Sequence, residues 1–333
     1  MSLEVLWFVL VAVLFIGFFF LEGFDFGVGM STRLLARNKH EREQILTTIG
    51  PFWDANEVWL ITAGGALFAA FPSWYATMFS GYYTLFVILL LALIIRGVGI
   101  EYSHHAKTDK TKNFWYWLFF IGSLAAPFSV GMLFTSLVRG MPIDANMHLY
   151  GSFADFVNIY SLVGGLAVVL LSLVHGLTFI GLRTIGDIHE RATSLLNKVY
   201  IVLLVGEVIF AILTYLQTDL FDVRPVATPV LLGLTVVATV LGMLYANKGR
   251  EGYAFTFSGL AVAFVVAMLF IGLFPRVMIS SIDPAFNLTI HNAASGHYTL
   301  SVMTKVAFTL LPFVLGYQIW SYYVFRQRIS PKK

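Results

Sequence analysis

Cysteine is absent from this chain of 333 residues, and charged residues make up only 12% of it. The missing cysteine excludes disulfides, thiolate metal sites, iron–sulfur clusters and the C-x-x-C-H attachment of c-type haem. Soluble domains are about half apolar and about a quarter charged, whereas 58% of these residues are hydrophobic. The composition therefore predicts an all-α polytopic membrane protein. The net charge of +3 is too small to indicate a nucleic-acid partner.

Long apolar runs are abundant, and nine of them have the roughly 20 residues that a bilayer-spanning helix needs. Short connections leave no room for a soluble domain, so residues 1–333 are expected to form one membrane domain. Residues 1–20 lack a basic n-region and a small-residue cleavage site, so the first run is expected to be retained. The nine predicted spans lie near 4–24, 51–71, 77–100, 114–138, 158–181, 195–217, 226–246, 252–274 and 298–323.

Positive charge alternates between the connections. Sixteen of the 21 Lys and Arg follow spans 1, 3, 5 and 7 or belong to the C-terminus, which includes Lys332 and Lys333. The opposite connections hold only Arg139, Arg224 and Arg276. Because Lys and Arg accumulate on the cytoplasmic side, the pattern predicts an outside N-terminus and a cytoplasmic C-terminus.

A group of ionisable residues is predicted near the cytoplasmic ends of the first three spans. Its members are Asp25, Asp54, Glu57, Arg96 and Glu101. Ionisable groups inside a bilayer are costly and are candidates for function. Two interpretations remain open here: the carboxylates relay protons inward, or Arg96 neutralises them and joins three helices.

Two further features of the spans have a structural interpretation. Glu207 and Lys305 lie at similar depths below the outer surface and are expected to form a buried ion pair. His175 is a candidate haem ligand, but a lone histidine on a membrane helix more often packs through hydrogen bonds. No pair of histidines has the spacing of a haem or metal site, so no metal site is predicted in this chain.

Several long motifs resemble those of subunit II of the cytochrome bd quinol oxidases. They include EGFDFGVGM (22–30), PFWDANEVWLITAGGALFAAFP (51–72), RGVGIEY (96–102) and LTIHNAASGHYTLSVMT (288–304). Similar agreement continues through RTIGDIHERA (183–192) and AFTFSGL (254–260). The resemblance thus extends, in order, over nearly the whole chain.

The resemblance implies two four-helix bundles plus one peripheral helix in a prokaryotic plasma membrane. It implies a complex with a related subunit I, often joined by a very small third subunit. Such a complex oxidises quinol, reduces dioxygen to water and takes protons from the cytoplasm. Subunit I carries two b-type haems and a third haem of d or b type, so this chain is expected to bind none directly. A structural quinone in this subunit stays open.

For individual residues, the resemblance implies a proton pathway through Asp25 and Asp54. Glu57 occupies a position where some relatives have Gln, which makes it less essential to such a path. Arg96 and Glu101 are expected to support the network. Two alternatives remain: a proton-coupled secondary transporter that uses the same carboxylates, and a purely structural subunit.

Overall fold

The computed structural model describes residues 2–330 and is almost entirely helical. Lys332 and Lys333 of the predicted basic C-terminus lie outside these residues. The helices are α1 Leu3–Leu34, α2 Lys39–Thr47, α3 Trp53–Ala70, α4 Pro72–Gly81, α5 Tyr83–His105, α6 Asp109–Arg139, α7 Phe153–Phe156, α8 Ile159–Arg183, α9 Asp187–Gln217, α10 Leu220–Val223, α11 Ala227–Asn247, α12 Glu251–Leu273 and α13 His297–Val324.

Eight of these helices, found within residues 2–330, are long and apolar enough to cross a membrane. They are α1, α5, α6, α8, α9, α11, α12 and α13, which confirms an all-α membrane protein. The predicted span 51–71 corresponds to α3, whose 18 residues include Asp54, Asn56 and Glu57 near its start. Because α3 has only 18 residues, these polar side chains leave it without an 18-residue stretch as apolar as those of the other eight helices. The count of nine spans and the orientation of the chain stay predictions.

The predicted third span begins too early. The sequence placed it at 77–100, but residues 72–81 form the separate helix α4, and α5 begins only at Tyr83. Pro72 stands at the first helical position of α4, where its fixed φ and missing N–H are tolerated. Pro72 therefore starts a new helix directly after α3, and the chain bends twice within one apolar stretch.

The long helices pack in two groups. The first contains α1, α3, α5 and α6, and the second contains α8, α9, α11 and α12. The groups meet where α8 packs on α1 and α6. Helix α13 packs only lightly, on α1 and α3, and Leu300 is the one buried residue among its described positions.

Glycines permit the close contact between α1 and α8. A Cβ atom at Gly27 would lie 2.7 Å from the Cα of Gly176 and would also clash with the Ser172 carbonyl. In lipid, such small-residue contacts drive helix association because apolar side chains gain little from leaving the hydrocarbon. This contact holds the two groups together beside the polar residues of α1.

The connection between α12 and α13 forms a small ordered cap. Strand β1 Arg276–Met278 pairs antiparallel with β2 Leu288–Thr289. A 3-10 turn, Pro284–Phe286, lies between them. The Arg276 guanidinium binds the Asp219 carboxylate through two contacts, one of them 2.9 Å long. The cap closes the end of the bundle opposite to the basic connections.

Candidate functional site: a carboxylate cluster around Arg96

Arg96 is completely buried between α1, α3 and α6. Its Nη1 atom contacts the carboxylate of Glu22, which is also completely buried, and lies 3.7 Å from Oε2 of Glu57. The guanidinium carbon lies 5.0 Å from the ring centre of Phe26 and 6.0 Å from that of Phe119. Aromatic faces attract cations, so two rings and two carboxylates surround this one cation.

Asp25 is the second completely buried carboxylate of α1. Its Oδ2 atom accepts a hydrogen bond of 2.7 Å from the Asn56 side-chain amide. The Asn56 carbonyl oxygen in turn accepts one of 2.6 Å from the Tyr322 hydroxyl. A continuous hydrogen-bonded chain therefore links α1, α3 and α13 beside Arg96.

The cluster contains more acids than bases. Glu22, Asp25 and Glu57 face a single guanidinium, that of Arg96. With all groups ionised, two negative charges would remain uncompensated in a buried site, which costs several kcal/mol or more. One proton shared among the carboxylates reduces the two uncompensated charges to one and lowers that cost. The arrangement can therefore hold a proton and release it.

Glu57 connects the cluster with a large apolar groove. The groove has a volume of about 1040 Å³ and lies between α3, α4 and α5. Among the residues that line it, Glu57 is the one with a charged side chain. About 22% of the Glu57 side chain is exposed, so the cluster is open on this side.

Asp54 lies one turn before Glu57 on α3 and is exposed. It makes no hydrogen bond or ion pair with any described residue. Glu101, predicted to support the cluster, is also exposed on α5 and lies outside it. Five residues along α5 separate it from Arg96, a rise of about 7.5 Å. The structure thus joins Asp25, Glu57 and Arg96, leaves Asp54 at the edge and separates Glu101.

The predicted ion pair between Glu207 and Lys305 is not formed among residues 2–330. Glu207 instead accepts a hydrogen bond of 2.5 Å from the Thr239 hydroxyl on α11. Helix α9, which carries Glu207, packs on α8 and α11, while α13, which carries Lys305, packs on α1 and α3. The sequence predicted that Glu207 and Lys305 lie at the same depth in the membrane. The structure places them on helices that do not pack against each other.

His175 is a buried packing residue of α8. Its Nε2 lies 3.0 Å from the Phe20 carbonyl oxygen, so this nitrogen donates, and Nδ1 accepts from the Ser258 hydroxyl at 2.7 Å. The ring stacks on Phe255 with centres 4.5 Å apart. Both nitrogens are therefore engaged by the protein, which supports the packing interpretation over haem ligation.

Sequence reasoning missed three members of the cluster: Glu22, Asn56 and Tyr322. Glu22 had a usable signal, since it precedes Asp25 by three residues and therefore shares a helix face with it. The sequence signal for Asn56 was weaker: it lies between Asp54 and Glu57. No sequence signal pointed to Tyr322, because nothing near it in the sequence shows which helix its hydroxyl contacts.

Apolar helices that enclose a cluster of buried carboxylates define a multi-pass membrane protein with ionisable groups in its interior. Comparison with known proteins identifies the class further. The sequence profile of the family described as cytochrome bd terminal oxidase subunit II matches residues 3–325. The chain belongs to this family, and it is thus a subunit of a terminal oxidase of the cell membrane.

Curated relatives agree with this assignment. Cytochrome bd ubiquinol oxidase subunit 2 of Bacillus subtilis (strain 168) is 54% identical, over 100% of this chain and 98% of the relative. Cytochrome bd-I ubiquinol oxidase subunit 2 of Escherichia coli (strain K12) is 37% identical, over 98% of this chain and 95% of the relative. These matches do not favour the transporter alternative.

The fold is also similar to a solved structure. A chain of the bd oxidase from Geobacillus thermodenitrificans superposes with a TM-score of 0.77. The superposition covers 97% of this chain and 99% of the other, at 17% sequence identity. At that identity the similarity supports the fold alone.

Proposed function

We propose that this chain is the non-haem subunit of a complex that oxidises quinol and reduces dioxygen to water. In this proposal it supports a haem-bearing subunit I and delivers cytoplasmic protons to it. Family membership supports the oxidase complex. The buried cluster of Glu22, Asp25, Glu57 and Arg96 carries the proposal of proton delivery.

The proton route begins at Asp54, which is exposed at the first turn of α3. Glu57 lies one turn further along the same helix and faces Arg96. From there Glu22 and Asp25 extend the row of carboxylates along α1. Carboxylates of this kind relay protons well when water bridges them. Arg96 offsets one negative charge of the row, which lowers the cost of carboxylate ionisation as a proton enters and leaves.

Haem is proposed to reside in the partner subunit. The deepest histidine of this chain, His175, has both ring nitrogens engaged by Phe20 and Ser258 and does not fit an axial-ligand role. The apolar groove beside Glu57 has the volume and lining for a structural quinone. An apolar groove with one polar group is typical of small-molecule sites.

The partner is proposed to cover the outward face of α13. Lys305 lies eight residues inside α13, a depth of about 12 Å, and is exposed without an acidic partner among the described residues. A charge that faces lipid is costly, so a protein surface is the better explanation of the exposed Lys305.

The test is purification through a tag on this chain after expression with its operon partners. We expect a haem-bearing second subunit to co-elute, together with quinol-driven oxygen uptake and the reduced-minus-oxidised signals of b-type and d-type haems. The same preparation shows whether a very small third subunit is present. A colourless single chain would contradict the proposal.

A further inference from the structure

A second groove lies between α1, α8, α12 and α13, and Tyr322 separates it from the carboxylate cluster. Its volume is about 590 Å³, and its walls are mostly apolar, with the aromatic side chains of Phe20, Phe24, Phe52, Trp59, Phe179, Phe255 and Tyr322. The charged residues that line it are Arg183, Arg326 and Arg328. The groove is therefore apolar along its length and basic at one end, the end that the positive-inside rule assigns to the cytoplasm.

Arg183 is the buried member of this basic end. Only 6% of its surface is exposed, and its Nε atom is buried without a hydrogen-bond partner. No acidic side chain lies within ion-pair distance of its guanidinium among the described residues. The guanidinium carbon lies 5.9 Å from the ring centre of Phe52. A buried arginine that lacks an anion and lines a groove indicates that the anion is supplied from outside.

The C-terminal segment brings the other two arginines to this place. The Ile329 N–H donates to the Arg183 carbonyl at 2.7 Å, and the Gln44 side chain donates to the Ile329 carbonyl at 3.4 Å. Arg328 is thereby held near the end of α8, where one of its nitrogens lies 3.4 Å from Glu251. Glu251 neutralises Arg328 only in part, because the Arg328 side chain is exposed, so Arg328 adds positive charge to that of Arg183 at this end of the groove.

We propose that this groove binds an anionic phospholipid. The phosphate lies against Arg183 and Arg328, and the acyl chains lie along the aromatic walls towards the membrane centre. Basic pockets between membrane helices at the cytoplasmic side recognise anionic head groups. An open apolar groove with a basic end fits a lipid better than a free anion, because a free anion has no acyl chains to occupy the groove.

Native mass spectrometry of the purified, delipidated complex tests this proposal. The complex is titrated with phosphatidylglycerol, with phosphatidylcholine of the same acyl chains, and with inorganic phosphate. We expect one site that prefers phosphatidylglycerol, and an affinity that falls by about fivefold for each arginine removed in Arg183→Gln and Arg328→Gln. Arg183→Lys should retain most of the affinity. Arg250→Gln, an exposed arginine outside the groove, serves as the matched control and should bind as the parent does.

Three results would overturn the proposal. Equal binding of phosphatidylcholine and phosphatidylglycerol would reduce the groove to an unselective lipid surface. Displacement of phosphatidylglycerol by millimolar phosphate would assign the arginines to a free anion. Loss of a partner subunit from the Arg328→Gln complex, with lipid binding unchanged, would assign the groove to a protein helix. Arg328 is exposed, so its variant keeps the test valid even where Arg183→Gln fails to fold.

Discussion

Arg96 determines whether the acidic residues around it can stay buried. Its guanidinium contacts Glu22, approaches Glu57 and packs between Phe26 and Phe119. A buried ion pair adds little stability over an apolar pair, but removal of one partner leaves an uncompensated charge. The cation is therefore more important for the cluster than any one acid.

We predict that Arg96→Gln destabilises the complex by about 3–5 kcal/mol, the cost of a broken buried pair. Arg96→Gln combined with Glu22→Gln should be more stable than Arg96→Gln alone, because the second change removes the stranded carboxylate. Thermal unfolding of the purified complex, followed by haem absorbance, measures both variants. Additive losses in the double variant would argue against the pair, and Arg250→Gln controls for the loss of one surface cation.

At the level of single residues, the sequence predicted the membership of the cluster only in part. Asp25, Glu57 and Arg96 were predicted and lie together, because α3 packs on α1 and the long Arg96 side chain reaches from α5 to Glu22 and Glu57. Glu101 was predicted and lies outside, since its position on α5 turns it to the exposed surface. Hydropathy gives the depth of a residue but not the direction of its side chain.

Helices α1 and α8 pack closely beside the cluster. At Gly176, a Cβ atom would lie 2.5 Å from the Gly27 Cα and 2.6 Å from the Val28 nitrogen. Backbone atoms cannot move aside as a flexible side chain can. The separation of α1 and α8 is therefore set by these two glycines.

We predict that Gly27→Ala or Gly176→Ala lowers the yield of assembled complex several-fold, because the added methyl group pushes the two helix groups apart. Gly233→Ala is the matched control, since nothing lies within 4 Å of a Cβ atom at this membrane-helix position. Size-exclusion chromatography of the solubilised complex measures the effect. Equal yields for all three variants would show that the close contact is not needed.

A surface ion pair joins the short helix α2 to α9. Arg191 Nη2 lies 2.9 Å from the Glu41 carboxylate, and the Arg37 N–H donates to the same carboxylate at 2.7 Å. Partial burial alone would raise the pKa of Glu41, but these hydrogen bonds and the charge of Arg191 lower it below its ordinary value.

This lowered pKa predicts how the α2–α9 contact depends on pH. A carboxyl whose pKa is lower in the folded state stabilises that state above the unfolded pKa of about 4.3, and the contribution is lost as pH falls through the folded value. We expect the protection of residues 37–47 against hydrogen exchange, relative to the intrinsic exchange rate at each pH, to fall below about pH 4.3. Glu41→Gln should show this weaker protection at every pH. Pronounced protection of the variant at neutral pH would contradict the role of the ion pair.

At the scale of the helices, the sequence predicted which segments are helical better than it predicted where each helix begins and ends. The predicted span 77–100 has no charged residue before Arg96, so hydropathy gave no sign of the break at Tyr82. The sign was Gly81, which ends α4. The predicted Glu207–Lys305 pair was wrong for a different reason. Two residues at the same depth in a membrane need not lie on neighbouring helices.

At the scale of the whole molecule, the exposed face of α13 carries a charge, that of Lys305, which is costly to leave in contact with lipid. Helix α13 buries little of its length and presents large apolar side chains such as Phe313 and Trp320 outward, together with Lys305. An exposed apolar face alone is normal in a membrane. The lysine within it indicates a protein partner.

We predict that Lys305→Glu releases the partner subunit, because the new carboxylate repels the negatively charged or polar group of the partner that binds the lysine. Lys305→Met should weaken the complex less, since it removes the attraction without adding repulsion. Lys248→Glu, on the exposed connection after α11, is the control. Recovery of haem with the tagged chain measures association, and equal recovery for Lys305→Glu and the parent would place the partner elsewhere.

Proton delivery through the buried cluster is the central claim, and Asp25→Asn tests it most directly. The measurement is oxygen reduction and proton uptake by the purified complex in proteoliposomes, for Asp25→Asn, Asp54→Asn, Asp25→Glu and the exposed control Glu101→Gln. We predict that both Asn variants lower turnover at least about tenfold, which corresponds to about 1.4 kcal/mol of barrier, with haems retained. Asp25→Glu should recover part of the rate, and Glu101→Gln should match the parent. Full turnover and full proton uptake by an Asp25→Asn complex with all its haems would contradict the claim.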